Sequence, residues 1–192
     1  MFAALTAYTD ANNADVPYES PSNKDLRITA PVLKDGTTVA LDQQQANDVL
    51  NANGVITAIN ANGFKSWGNN TAAYPSTTDP KDRWLAVRRF FDWDGNNFIL
   101  TYFQKVDKPG NKRLIQSIVD SQNIIGNGYV ARDYCAGYRL EFKEDENPIT
   151  DLLDGKLTTH TYLAPYIPAE KIVNIREYDT AALEAALTGG SD

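Results

Sequence analysis

Two stretches of helical periodicity, separated by one proline, set the main limit on what this chain can fold into. Phe98, Ile99, Tyr102, Phe103 and Val106 follow 3.6-residue spacing and predict a helix near residues 92–105. Pro109 separates it from the next helical segment. Asn111 then stands as an N-cap before a second apolar stripe, Leu114, Ile115, Ile118 and Val119, which the sequence ends by Gly126. Both helices carry an apolar face that must be covered, and one face of a β-sheet does so most simply. Strand material lies downstream. In residues 134–143, Ala136, Tyr138, Leu140 and Phe142 alternate with Gly137, Arg139, Glu141 and Lys143, the pattern of a half-buried strand. Thr-rich residues 156–164 read as another. Residues 170–178, set off by Pro165 and Pro168, read as a third late strand with Ile172, Val173 and Ile175. Helices and strands are mixed without a regular βαβ period. The expected class is α+β: a mixed β-sheet covered by two main helices, with an extended C-terminal arm strand.

The first half of the chain reads differently. Residues 1–25 hold Asn, Ser, Pro and Asp with few apolar groups, and predict a loosely structured lead-in. Leu26-Arg27-Ile28 and Val32-Leu33 suggest a short strand broken by Pro31. Asp42 and Gln45 make a capping box, with Ala46, Val49 and Leu50 on one helical face and Gly54 as the stop. Val55, Ile56 and Ile59 precede Asn62-Gly63, and Phe64 and Trp67 come after it. Two apolar runs about a turn-forming Asn-Gly predict a β-hairpin. Asp79-Pro80 opens the next segment, in which Trp84-Leu85-Ala86-Val87 reads as a strand. A weak helix is expected over residues 181–187, then a free tail, Gly189-Gly190-Ser191-Asp192.

Composition narrows the chemistry. At 192 residues the chain suits one domain, and no apolar run approaches membrane-spanning length, so no direct membrane insertion is expected. A formal net charge of -7 disfavours nucleic acid and anionic membrane as partners. One cysteine, Cys135, and one histidine, His160, leave no intrachain disulfide and almost no material for a metal centre, so no cofactor is expected. Glu144, Asp145 and Glu146, with His160, are the candidate groups for a small hydrolase; a solvated turn explains the same residues without chemistry. Asp92, Asp94, Asn96 and Asn97 fall in a loose acidic cluster, but the glycine and closing glutamate of a calcium loop are misplaced, and helix capping is the simpler reading. No G-x-S-x-G or Gly-rich phosphate loop occurs. The sequence holds 10 Tyr, 7 Phe and 3 Trp, a surplus that suits buried subunit interfaces, or the stacking surface of a monomeric carbohydrate-binding module.

Asn53-Gly54-Val55 followed by Gly63-Phe64-Lys65-Ser66-Trp67-Gly68-Asn69-Asn70-Thr71 resembles the C-terminal part of contractile tail sheath proteins, with Asn70 where an Arg is common. Tyr8-Thr9-Asp10-Ala11-Asn12-Asn13, Ser20-Pro21-Ser22-Asn23-Lys24, Val106-Asp107-Lys108-Pro109 and Asp151-Leu152-Leu153-Asp154-Gly155-Lys156 are similar to sheath motifs in the same order. The resemblance implies a structural rather than an enzymatic role. It divides the chain into a lead-in (1–25), a tube-proximal sheath domain (26–168) and a C-terminal arm with tail (169–192), and makes Met1 the start of a shortened C-terminal piece. It implies a homo-oligomer, helically assembled around a tail tube protein, with baseplate and tail terminator proteins as further partners. The location would be the virion tail, with assembly in the host cytoplasm. It gives Lys171, Ile172, Val173, Ile175 and Tyr178 an interface role in a neighbouring subunit, and makes Lys81, Arg83, Arg88 and Arg89 a tube-facing basic cluster.

Overall fold

The computed structural model describes residues 1–189; of the expected free tail, Gly190, Ser191 and Asp192 lie outside them. Seven helices and two antiparallel strand pairs make an α+β fold among these residues. The helices are α1 (Phe2–Asn12), α2 (Gln43–Gln45), α3 (Pro80–Arg83), α4 (Leu85–Tyr102), α5 (Lys112–Ala131), α6 (Ile149–Leu153) and α7 (Thr180–Thr188). The strands are β1 (Thr57–Asn60), β2 (Phe64–Trp67), β3 (Cys135–Glu141) and β4 (His160–Pro165). They form two separate antiparallel pairs, β1-β2 and β3-β4, rather than one mixed sheet.

The hairpin expected at Asn62-Gly63 is present. Thr57 pairs with Trp67 and Asn60 with Phe64, while Asn62 and Gly63 both take positive φ, at 55° and 110°. Upstream, Asp42 and Gln45 form the reciprocal capping box. α2 continues as a π-helical turn (Ala46–Leu50) and a 3₁₀ turn (Asn51–Asn53), and Gly54 ends it in the left-handed region. Residues 22–26 lie along β2 as an irregular third strand. Asn23 N–H donates to Ser66 O (2.7 Å), Ser66 N–H to Lys24 O (2.9 Å), and Leu26 N–H to Phe64 O (2.7 Å).

The central body packs α4 and α5 against β3-β4. Its core is Val16, Phe90, Tyr129, Cys135, Tyr138 and Leu140. The Tyr129 ring stands edge-on to both Phe90 (6.1 Å, 82°) and Tyr138 (5.8 Å, 80°). β3 alternates as expected at Tyr138 and Leu140, both buried; an irregularity between Cys135 and Gly137 lets Cys135 point inward as well.

The structure departs from several expectations. Residues 1–25 are not a loose lead-in: α1 is an 11-residue helix, fixed to α4 by the Arg89–Asp10 ion pair, and the chain then sends Val16 into the core and stacks Tyr18 on Tyr134 at 4.7 Å. Tertiary contacts hold this helix, which its own weak amphipathic pattern does not announce. The strand expected at 84–87 is the first turn of α4; only Trp84 is extended, in a single bridge to Asn70. α4 therefore starts well before residue 92. Its buried positions 86, 87, 90 and 94 follow helical spacing, but Asp94 occupies one of them and breaks the apolar pattern. The cluster Asp92, Asp94, Asn96 and Asn97 thus sits mid-helix and caps nothing. Gly126 does not end α5. The helix runs on to Ala131, and a Cβ at Gly126 would lie 2.0 Å from Tyr138 Cδ1, so the glycine lets α5 meet β3 closely.

Candidate interaction surfaces

β4 ends at Pro165, and residues 166–179 continue without regular structure. The strand expected at 170–178 is absent among the described residues. A strand needs a row of partners for its N–H and C=O groups, and none of the segment's backbone groups pairs with an edge of its own chain. Its side chains are exposed: Ile172 by 87%, Ile175 by 80%, Tyr178 by 74% and Val173 by 69%. Lys171 is exposed too. The Glu170 carboxylate lies 3.7 Å from the Arg83 guanidinium, a surface pair worth about 1 kcal/mol or less. Apolar side chains held this far into water are a sign of a surface that another molecule covers.

The four basic residues singled out in sequence come close together on α3 and early α4, but three are already engaged within the chain. Arg88 pairs with Asp82 (3.0 Å) and with Asp92 (2.9 Å), contacts that raise its pKa further, Asp92 contributing most. Arg89 binds Asp10 through both guanidinium nitrogens. Arg83 donates to Asn70 Oδ1 (3.0 Å) and lies over the rings of Tyr74 (4.5 Å) and Trp84 (4.2 Å). Lys81 makes no ion pair among the described residues and rests 5.3 Å from the Phe91 ring centroid.

The Trp67-Gly68-Asn69-Asn70-Thr71 run works as a clasp. Asn69 Oδ1 accepts from Ser20 Oγ (2.5 Å), Gly68 N–H donates to Ser22 Oγ (3.1 Å), and Asn70 Nδ2 donates to the Asn51 carbonyl (3.0 Å). Thr71 N–H donates to Arg83 O at 2.7 Å. These asparagines are buried, so they tie the N-terminal segment, the α2 end and α3 to the hairpin. A groove of about 400 Å³ lies beside this clasp, closed on one side by Tyr166, Ile167 and Pro168 at the root of the exposed segment.

Elsewhere the candidate groups meet on the surface. His160 Nδ1 is 3.1 Å from Glu146 Oε1, and its ring stacks on Tyr162 at 4.7 Å. Lys143 donates to Glu146 (2.9 Å), and with His160 it holds that carboxyl below the usual range. Glu146 and His160 line neither the groove beside the clasp nor a larger one of about 1250 Å³, which Glu144 lines without them. Among the described residues no group of three or more His, Cys, Asp or Glu is arranged to hold a metal ion. Among the same residues no helix is long and apolar enough to cross a membrane.

One buried constellation lies outside the sequence expectations. Gln122 Nε2 donates to Tyr138 Oη (2.6 Å), which donates to Asp94 Oδ2 (3.2 Å). Asp94 Oδ1 and Gln122 Oε1 are buried acceptors without a donor among the described residues. Burial pushes the Asp94 carboxyl up to about 6, against the opposing effect of the Tyr138 hydrogen bond. Tyr129 is pushed up to about 12, by burial first and then by Asp94. The signal was available: Asp94 falls four residues after Phe90 on the buried side of α4.

No family model matches the chain. Curated relatives do. The tail sheath protein of Burkholderia phage BcepMu is 31% identical over 177 residues, covering 90% of this chain and 36% of that protein. The tail sheath protein of Escherichia phage P2 is 31% identical over 130 residues, covering 65% and 31%. The major tail sheath protein of Serratia phage KSP20 is 29% identical over 185 residues, covering 95% and 45%. Among solved structures, a chain of the anti-feeding prophage baseplate matches with a TM-score of 0.79 at 19% identity, over 93% of this chain and 49% of that one. A chain of the PVC extracellular contractile injection system sheath in its contracted state matches with a TM-score of 0.76 at 16% identity, over 94% and 51%. This chain thus spans about half or less of the length of each of these proteins. By sequence it is a homologue of phage tail sheath proteins, and it has the fold of the corresponding portion of contractile sheath subunits.

Proposed function

We propose that this chain is the C-terminal, tube-proximal part of a contractile tail sheath subunit. Many copies assemble helically around a tail tube in an extended state. On triggering at the baseplate, the copies rotate and repack, the sheath shortens, and the tube is driven through the target envelope. The energy resides in the difference between two packings of one set of interfaces. Each interface need supply only a few kcal/mol, because contributions of linked copies add. The role is structural and calls for no covalent step. The particle location is the virion tail, with assembly in the host cytoplasm and a tail terminator protein closing the polymer.

The observation that carries this reading is the exposed apolar segment beyond Pro165. Lys171, Ile172, Val173, Ile175 and Tyr178 lie in water on a chain whose relatives are sheath proteins. An extended segment with free backbone groups gains hydrogen bonds by joining the sheet edge of a neighbouring copy. Lys81, Arg83, Arg88 and Arg89 are the residues we place toward the tube. Lys81 is the one whose charge is not already matched by a carboxylate among the described residues, and it dominates the attraction. Deleting residues 170–192 tests the arm: assembly is lost while circular dichroism and the melting transition of the remaining domain persist. Assembly that survives the deletion refutes the arm role.

A further inference from the structure

A second groove, of about 1250 Å³, opens where the end of α4, the start of α5 and the α6 region come together. Tyr102, Val106, Leu114, Ile118, Leu152 and Leu157 give it an apolar floor. Lys105, Lys108 and Lys112 line it as well, as do Asp107 and Glu144. None of the described residues fills it.

The same chain carries an element that lacks a seat. α7 is nine residues long, is capped by Asp179 accepting from Ala182 N–H (3.0 Å), and buries none of its residues. Isolated helices shorter than about 12 residues are marginal in water, so tertiary packing must hold this one. Leu183 and Leu187 lie one turn apart on one face and are 44% and 78% exposed. Beyond Arg176 the sequence has no lysine or arginine, while Glu177, Asp179 and Glu184 are acidic.

We infer that α7 of one copy of this chain docks in the groove between α4, α5 and α6 of a second copy. Size, polarity and charge agree. A nine-residue helix about 10 Å across and about 13 Å long occupies roughly 1,000 Å³, close to the groove volume. Leu183 and Leu187 face the apolar floor, and Glu177, Asp179 and Glu184 meet the lysines. The irregular residues 166–179, at about 3.3 Å each, span up to roughly 45 Å, enough to reach a neighbour. Donor helix and acceptor groove are different surfaces of one chain, so a head-to-tail contact of this kind is heterologous and, where its rotation closes neither a ring nor a reciprocal dimer, propagates into a polymer. This inference rests on the arm-exchange reading and adds a specific seat for the helix beyond the exchanged segment.

The test uses mixtures of full-chain cysteine variants under mild oxidation. Leu183→Cys is mixed with Ile118→Cys, and independently Leu187→Cys with Leu157→Cys, so that one unfolded groove variant does not decide the outcome. Ser76→Cys, on an exposed loop, is the control partner. Cys135 is buried and does not compete. A mixed disulfide-linked dimer forms with the groove cysteines and not with the control, and a peptide of residues 177–189 suppresses it. Three results overturn the inference: linkage to the control as readily as to the groove, no linkage in either pair of folded variants, or a doubly substituted single chain that closes on itself as a monomer. If linkage fails while deleting residues 170–192 still abolishes assembly, the groove assignment falls and arm exchange stands.

Discussion

Replacing Asp94 by asparagine should make the domain more stable at neutral pH, and by an amount that depends on pH. Asp94 is buried, and its carboxyl is raised from 3.8 to about 6 by burial. The folded state therefore binds a proton that the unfolded chain has released between about pH 4 and pH 6. That proton's contribution to stability is fully present below about pH 4 and is lost as pH rises through about 6. At pH 7.5 the ionised Asp94 costs about 3 kcal/mol, from two pKa units at 1.36 kcal/mol each. Asparagine is nearly isosteric and removes that cost. Its carbonyl still accepts from Tyr138 Oη. Tyr129, Tyr138 and Cys135 nearby all have raised pKa values and stay neutral over this range. Urea melts of both proteins from pH 4 to 8 read the difference directly, since other carboxylates titrate alike in both. The variant should gain about 2–3 kcal/mol at pH 7.5, or about 5–10 °C in melting temperature for a chain of this size, and nearly nothing at pH 4. Parallel stability curves across the range, or a variant less stable at pH 7.5, would show that the Asp94 carboxyl does not carry this cost.

The packing leads to two further outcomes. Gly126→Ala puts a methyl 2.0 Å from Tyr138 Cδ1, and should cost about 1–3 kcal/mol in a urea melt or shift β3 away from α5, although alanine is intrinsically the better helix former. Arg89→Ala leaves the Asp10 carboxylate without its partner; α1 should then exchange its amide hydrogens faster by hydrogen–deuterium exchange, while the protection of α5 and β3 stays unchanged.

How much of the fold is legible in the sequence depends on how local each signal is. The Asn62-Gly63 hairpin, the Asp42–Gln45 capping box and the Asn111 cap are short-range chemistry, and the structure has all three. α1 is held by Arg89, 79 residues away, and no local pattern reveals such a contact. The start of α4 is hidden because Asp94, a polar residue at a core position, interrupts its stripe. Gly126 looks like a stop because glycine ends helices in most settings; only the position of Tyr138 gives it another purpose. Residues 170–178 have strand composition but no strand partner among the described residues, and composition says nothing about whose edge a strand will join. The basic cluster is a real neighbourhood, yet its charges are largely neutralised by Asp10, Asp82 and Asp92; Arg88–Asp92 is an i,i+4 pair readable from spacing once α4 is placed, whereas Asp10 comes from 79 residues away.

Cryo-electron microscopy of polymers assembled from this protein shows, through the density of residues 170–178, whose sheet edge that segment joins. Arm exchange gives tubular helical assemblies in which this segment leaves its own subunit and hydrogen-bonds to a strand of a neighbour. Density showing the segment folded back onto the subunit that carries it, or a protein that remains dispersed as monomers, would contradict it.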